Sequence, residues 1–169
     1  MELAIIHGRV IKYGNNVNTD EIIPARYLSV TDAKILAEHA MEDFDPDFLE
    51  KISTRNIIAA GGNFGCGSSR EHAAIVLKES GVKVIIAESY ARIFFRNAIN
   101  QGLPALEMEK PAVNIEDNDE VEVDLENWQA RNLTAGTRIH IRKMPDFILS
   151  ILEAGGLVNF LKAHGKREG

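Results

Sequence analysis

Cysteine is nearly absent from the sequence: of 169 residues, only Cys66 is one. A single thiol excludes an internal disulfide and any complete thiolate set for zinc or an iron–sulfur cluster, so iron–sulfur chemistry would need another chain to hold the metal. Long apolar runs are also missing. The N-terminal stretch Met1-Glu2-Leu3-Ala4-Ile5-Ile6-His7 has no basic region leading into one. It therefore argues against a signal peptide or a membrane span and for a cytoplasmic protein. Basic clusters are lacking as well. Nineteen Lys and Arg face 25 Asp and Glu, a net charge of −6, and the cations are scattered rather than gathered into a stripe that tracks phosphates. That argues against nucleic acid as a partner. His7, His39, His140 and His164 show no metal-ligand spacing, and no repeat, low-complexity tract or linker interrupts the chain.

What is present is a mixture of 45% hydrophobic and 26% charged residues, enough to close one core of its own, and the reading is a single domain over 1–169. A strand from Ala4 to Lys12 ends in the turn Tyr13-Gly14-Asn15-Asn16. Between Tyr27 and Ile52 the pattern is helical but broken, with Asp32 to His39 as one piece and Asp45-Pro46 opening another, and it reads as an exposed insertion at about 26–52. Short apolar strands then alternate with amphipathic helices: Asn56 to Ala60, a helix to Ser80 stopped by Gly81, Val82 to Ala87, Ser89 to Gln101 stopped by Gly102, and Leu103 to Leu106. This alternation predicts a partly parallel sheet with helices packed on it. After Pro111 the texture changes to alternating segments, Glu120 to Asp124, Trp128 to Leu133 and Thr137 to Ile141, which predict an antiparallel meander. Two short helices around Gly155-Gly156 close an α/β domain with a β-rich flank.

The richest segment is Gly61-Gly62-Asn63-Phe64-Gly65-Cys66-Gly67-Ser68-Ser69-Arg70-Glu71-His72, between a predicted strand and a predicted helix. Its glycines let backbone N–H groups turn toward a ligand, and the following helix adds the positive end of its dipole, so the place suits an anion. It fits neither the dinucleotide fingerprint nor the P-loop nor the nucleophile elbow, because Arg70 and Ser68 stand where glycine or lysine would be required. Ser68-Ser69-Arg70-Glu71 also matches a capping box, with Ser68 at the N-cap and Glu71 reaching back. Capping and chemistry are compatible readings, since a cap oxygen sits where an alkoxide is stabilised, and Arg70 adds a cation suited to a carboxylate.

Gly67 to His72, with Asn18-Thr19-Asp20 upstream and Tyr90-Ala91-Arg92-Ile93-Phe94-Phe95-Arg96-Asn97 downstream, resembles the swivelling domain of the aconitase superfamily over nearly the whole chain. The resemblance implies a three-layer β/β/α fold like the C-terminal domain of aconitase. It also implies a hydro-lyase reaction that removes water from a hydroxy-polycarboxylic acid and returns it at the neighbouring carbon. The family's 4Fe-4S cluster would be held by a large partner subunit and none by this chain, which would be inactive alone. Carried over, Ser68 is the base that takes a proton from carbon, and Asp20 belongs to the acid–base network. Ser69 and Arg70 hold substrate carboxylates, while Gly65, Gly67 and His72 support the loop. Cys66, a small residue between two glycines, is read as fitting the loop rather than as a metal ligand. Arg92 and Arg96 share a helical face and are read as a solvated stripe outside the catalytic set.

Members of the family that exist as separate small subunits differ in the loop that here reads Tyr27-Leu28-Ser29-Val30. Homoaconitase-like relatives place arginine after the Tyr-Leu pair, opposite an extra carboxylate. Ser29 and apolar Val30 instead favour an isopropyl-substituted malate, whose alkyl group gains by burial. A homoaconitase-type substrate is the alternative within the family, and a non-catalytic anion-binding module the alternative outside it. Either way a homo-oligomer of the isolated chain is allowed.

Overall fold

The computed structural model describes residues 5–109 and 115–165. Ala4, where the first strand was expected to begin, and Pro111, where the texture changes, lie outside the described residues. Seven strands form one sheet in the order β4-β3-β2-β1-β5-β6-β7. β1 (Ile5–Lys12), β2 (Ile57–Ala60), β3 (Val84–Ala87) and β4 (Ala105–Glu107) run parallel. β5 (Glu120–Asp124) pairs antiparallel with β1 and continues through β6 (Gln129–Asn132) and β7 (Thr137–Ile139) as the expected meander.

Side-chain patterning explains the split. β2 and β3 are buried at every position, as strands covered on both faces must be, whereas β5 and β6 alternate between buried and more exposed residues. One face of the parallel strands, including Ile11, Ile58 and Ile85, packs on Ala73, Ala74, Val76 and Leu77 of α4 (Glu71–Ser80) and on Phe94 and Ala98 of α5 (Arg92–Asn100). The other face, with Val10, Ile57, Val84 and Ile86, shares a core with Val121, Val123, Ala130 and Ile139 of the meander. The sheet curls over itself, giving two β layers and a helical layer. A bridge between Met108 and Ile141 joins the two ends of the curl, so neither edge strand is left as a free template.

The segment over 26–52 corrects the expectation of an exposed insertion. Leu36 of α2 (Ala33–Ala37), Met41, and Phe48 of α3 (Phe48–Ile52) are all buried in the helical-side core. At about 1.5–3 kcal/mol per fully buried apolar side chain, the segment is an integral part of the fold. Periodicity hid this because the apolar residues are split between two five-residue helices, neither long enough to show a stripe. The Asp45-Pro46 start also lies slightly later than expected: Asp47 is the N-cap of α3, and Asp45 accepts its N–H at 3.3 Å.

Candidate active site

Three segments distant in sequence are laced together at the ends of β1, β2 and β3. Asn18 bridges Cys66 and Phe64 bridges Tyr90, each in parallel sense. Gly65 N–H donates to Val17 O at 2.7 Å, Thr19 N–H to Cys66 O at 2.8 Å, and Ala91 N–H to Phe64 O at 2.9 Å. Phe64, fully buried, stacks edge-on against Phe94 at 5.2 Å and against Tyr90 at 6.2 Å. The Tyr90 hydroxyl lies 3.0 Å from Ile85 O and 2.8 Å from Leu106 O, tying the entrance of α5 to the sheet.

Two glycines permit this closeness. A Cβ on Gly65 would lie 2.2 Å from Phe94 Cγ, and one on Gly67 would lie 2.6 Å from Asn18 Oδ1; both residues have positive φ. The loop is thereby pressed onto the Asn18 turn on one side and the aromatic start of α5 on the other.

The capping box expected at Ser68 does not form. α4 begins at Glu71, its N-cap is Arg70, and no side chain caps it. The capping box is instead at Asn18, whose side chain accepts from Asp20 N–H at 2.8 Å while Glu21 returns to Asn18 N–H at 2.9 Å, opening α1 (Thr19–Ile22). Asn-Thr-Asp-Glu carries the same spacing as Ser-Ser-Arg-Glu, so the signal was present in the sequence at both places. Ser68 is exposed, and its side chain makes no hydrogen bond among the described residues; only its carbonyl is engaged, by the Thr19 hydroxyl at 2.8 Å. The cap bonds expected to support an alkoxide there are therefore missing.

The anion cradle is also narrower than the glycine count suggests. The N–H groups of residues 61–65 are all used internally, by Gly14 O, Asn15 Oδ1, Ser89 Oγ, Ser89 O and Val17 O in turn. The N–H groups of 66–70 have no partner among the described residues. Residues 67–70 of this stretch line a hollow of about 260 Å³ together with Thr19, Gly65, Ala91, Arg92, Ile93 and Phe94.

Arg70 and Asp20 meet in an ion pair, and Arg70 also donates to Ile23 O at 3.3 Å. Arg70 is 14% exposed and Asp20 54%. His72, in the first turn of α4 and half-buried, makes no hydrogen bond or ion pair among the described residues, so any support it gives the loop is by packing. Arg92, left outside the catalytic set on sequence, lines the hollow. Its helical stripe with Arg96 concealed that only Arg92 faces the loop.

Tyr27, Leu28, Ser29 and Val30 do not line the hollow. Tyr27 stacks on His39 at 3.9 Å and donates its hydroxyl to Glu42. Arg26 is held by Glu42 and by both oxygens of Asp43, at 2.7 and 2.8 Å. These bonds hold the Asp43 carboxyl below its ordinary range through Arg26, and that of Glu42 chiefly through the Tyr27 hydroxyl. Ser29 is exposed at the tip, and Tyr27 and Val30 pack on the core below.

The sequence matches the Aconitase C-terminal domain family over residues 15–111, a span that holds all three laced segments. The chain belongs to that family. It is 51% identical over 157 residues to the 3-isopropylmalate dehydratase small subunit of Caldanaerobacter subterraneus subsp. tengcongensis, covering 93% of this chain and 98% of that protein. It is 52% identical over 159 residues to the isopropylmalate/citramalate isomerase small subunit of Methanocaldococcus jannaschii, covering 94% and 95%. The crystal structure of 3-isopropylmalate dehydratase from the same archaeon superposes with a TM-score of 0.89 at 45% identity, covering 95% of each chain. The β/β/α architecture expected from the motifs is thus that of the aconitase C-terminal domain family.

Among the described residues no group of three or more His, Cys, Asp and Glu is arranged to hold an ion, and Cys66 is the sole cysteine. Nor is any single helix among them long and apolar enough to cross a membrane.

Proposed function

We propose that this chain is the small subunit of an isopropylmalate isomerase. With a large subunit it interconverts 2-isopropylmalate and 3-isopropylmalate through isopropylmaleate, a step of leucine biosynthesis. The observation that carries the reading is the Ser68 hydroxyl, without a hydrogen-bond partner among the described residues and beside a hollow with two arginines, in a chain that over 93% of its length resembles a protein named as this subunit. A pure anion-binding module has no need of that hydroxyl.

A 4Fe-4S cluster held by the large subunit would supply the Lewis acid that assists departure of the hydroxyl. Ser68 takes the proton from carbon during dehydration and returns one during rehydration at the neighbouring carbon. Because no cap bond supports its oxygen among the described residues, the negative charge that develops there is stabilised by the cations of the hollow and by the N–H groups of 67–70, which have no partner among those residues. Ser69 and Arg70 hold substrate carboxylate, and Asp20 fixes Arg70 while facing the partner. The loop around Ser29 meets the alkyl group once the subunits dock. The archaeal relative's name supports citramalate, with methyl in place of isopropyl, as a second substrate of the same site. The lone free thiol suits a cytoplasmic enzyme.

The test is reconstitution with a cluster-loaded large subunit, following absorbance of the unsaturated intermediate. Wild-type chain should support turnover of isopropylmalate, and Ser68→Ala should abolish it with assembly and folding intact. Turnover by the Ala variant would remove the base assignment. A wild-type chain that supports none would favour the binding module, and a higher kcat/KM for homocitrate would transfer the reading to homoaconitase.

A further inference from the structure

Of the residues lining the hollow, only Arg70 and Arg92 carry charge. Arg70 is already committed: Asp20 pairs with it, Ile23 O accepts from it, and little of it is exposed. Its positive charge is largely compensated within the chain. Arg92 is exposed and makes no ion pair or side-chain hydrogen bond among the described residues, in a protein where acids outnumber cations.

Its position is also unfavourable for the fold. Arg92 is the first residue of α5, where unpaired N–H groups already make the helix end positive and acidic residues are preferred. The first turn of α5 has no acid, and its N-cap, Ala91, provides no side-chain bond. α4 likewise begins at the hollow, with a cation as its N-cap and no side-chain cap. Glu71 places an acid in the first turn of α4, but α5 has none, and a guanidinium with no ion pair among the described residues stands at its start beside the cavity, an arrangement that favours an anion.

We infer that Arg92 is a second substrate-binding cation of the hollow, receiving a carboxylate of the dicarboxylic substrate beside the one taken by Arg70, which Asp20 holds in place. The inference rests on the proposed isomerase function. It reverses the reading of Arg92 as a solvated residue and separates it from Arg96, one turn on and outside the hollow.

The experiment is steady-state kinetics of the reconstituted complex with Arg92→Gln, Arg92→Lys and, as control, Arg96→Gln, together with subunit affinity measured by titration. Loss of a charge-assisted bond from Arg92→Gln should raise KM by about 10- to 100-fold. Arg92→Lys should fall between, since it keeps charge but not the bidentate fork. Arg96→Gln should match wild type, and subunit affinity should change for none of them. An unchanged KM for Arg92→Gln overturns the inference alone. So does a defect removed by excess small subunit, which would make Arg92 a docking residue. A wild-type complex inactive on every hydroxy-polycarboxylate overturns the proposed function and this inference with it.

Discussion

Asp20 is ion-paired to Arg70, so the first turn of α1 and the N-cap of α4 are joined by opposite charges at the edge of the hollow. Asp20 is more than half exposed, which limits what the pair adds to stability, whereas Arg70 is mostly shielded and loses its compensating charge if Asp20 is neutralised. Asp20→Asn should therefore lower stability by no more than about 1 kcal/mol. If Asp20 also works in the acid–base network, kcat should fall by about 100-fold or more. Chemical denaturation set beside reconstituted kinetics separates the two. An activity loss no larger than expected from the change in stability would leave Asp20 as an anchor only.

The two loop glycines should differ in what they tolerate. A methyl on Gly65 meets the Phe94 ring, which is buried and wedged against Phe64, so neither can withdraw. Gly65→Ala should cost about 2–4 kcal/mol, from a left-handed backbone and an overpacked ring together. A methyl on Gly67 first meets the end of the Asn18 side chain, and Gly67→Ala should cost about 1–2 kcal/mol, from backbone strain and a disturbed Asn18 cap rather than from an overpacked ring. Urea midpoints of the isolated chain measure both. Equal values would mean that Phe94 moves more freely than its packing indicates.

Asn18, not Ser68, caps a helix. Asn18→Ala should lose about 1 kcal/mol with the capping box. Ser68→Ala should stay within about 0.5 kcal/mol of wild type, as for a surface side chain with no partner. A Ser68→Ala chain as unstable as Asn18→Ala would restore the capping role to Ser68.

That contrast shows where the sequence was legible. The alternation of apolar runs with Gly81 and Gly102 as stops gave the parallel half of the sheet, and period-two segments gave the meander, because each pattern is local and repeated. Capping at Ser68 failed because tertiary bonds decide which of two equivalent patterns starts a helix: Thr19 binds Ser68 O and draws the loop away from helical geometry. That Arg92 lines the hollow was not legible, because which residues of α5 meet the glycine loop is set by tertiary packing rather than by helical spacing. Burial of the segment over 26–52 was missed because Leu36, Met41 and Phe48 come from separate short turns that unite only against α4 and the sheet.

The loop around Ser29, proposed to meet the substrate's alkyl group, should be sensitive to acid through Glu42. This carboxylate accepts from the Tyr27 hydroxyl, His39 and Arg26, and the Tyr27 bond is the main reason its pKa lies below the ordinary value. A depressed carboxyl favours the native loop while ionised. Its contribution is complete above the unfolded glutamate value of about 4.3 and is lost as pH falls through the lowered native value. Isopropylmalate binding by the complex should accordingly weaken on acidification below the ordinary glutamate range as Tyr27 and Arg26 are released, before the fold itself is lost. Glu42→Gln should show that weakened binding already at neutral pH and flatten the acid limb, because the amide cannot balance Arg26. Tyr27→Phe, which removes the principal bond, should move the limb toward higher pH. Amide hydrogen exchange over 26–31 checks that the loop responds. An unaltered acid limb in both variants would assign the transition to a different carboxylate, of which Asp43, paired with the same arginine, is the next to replace.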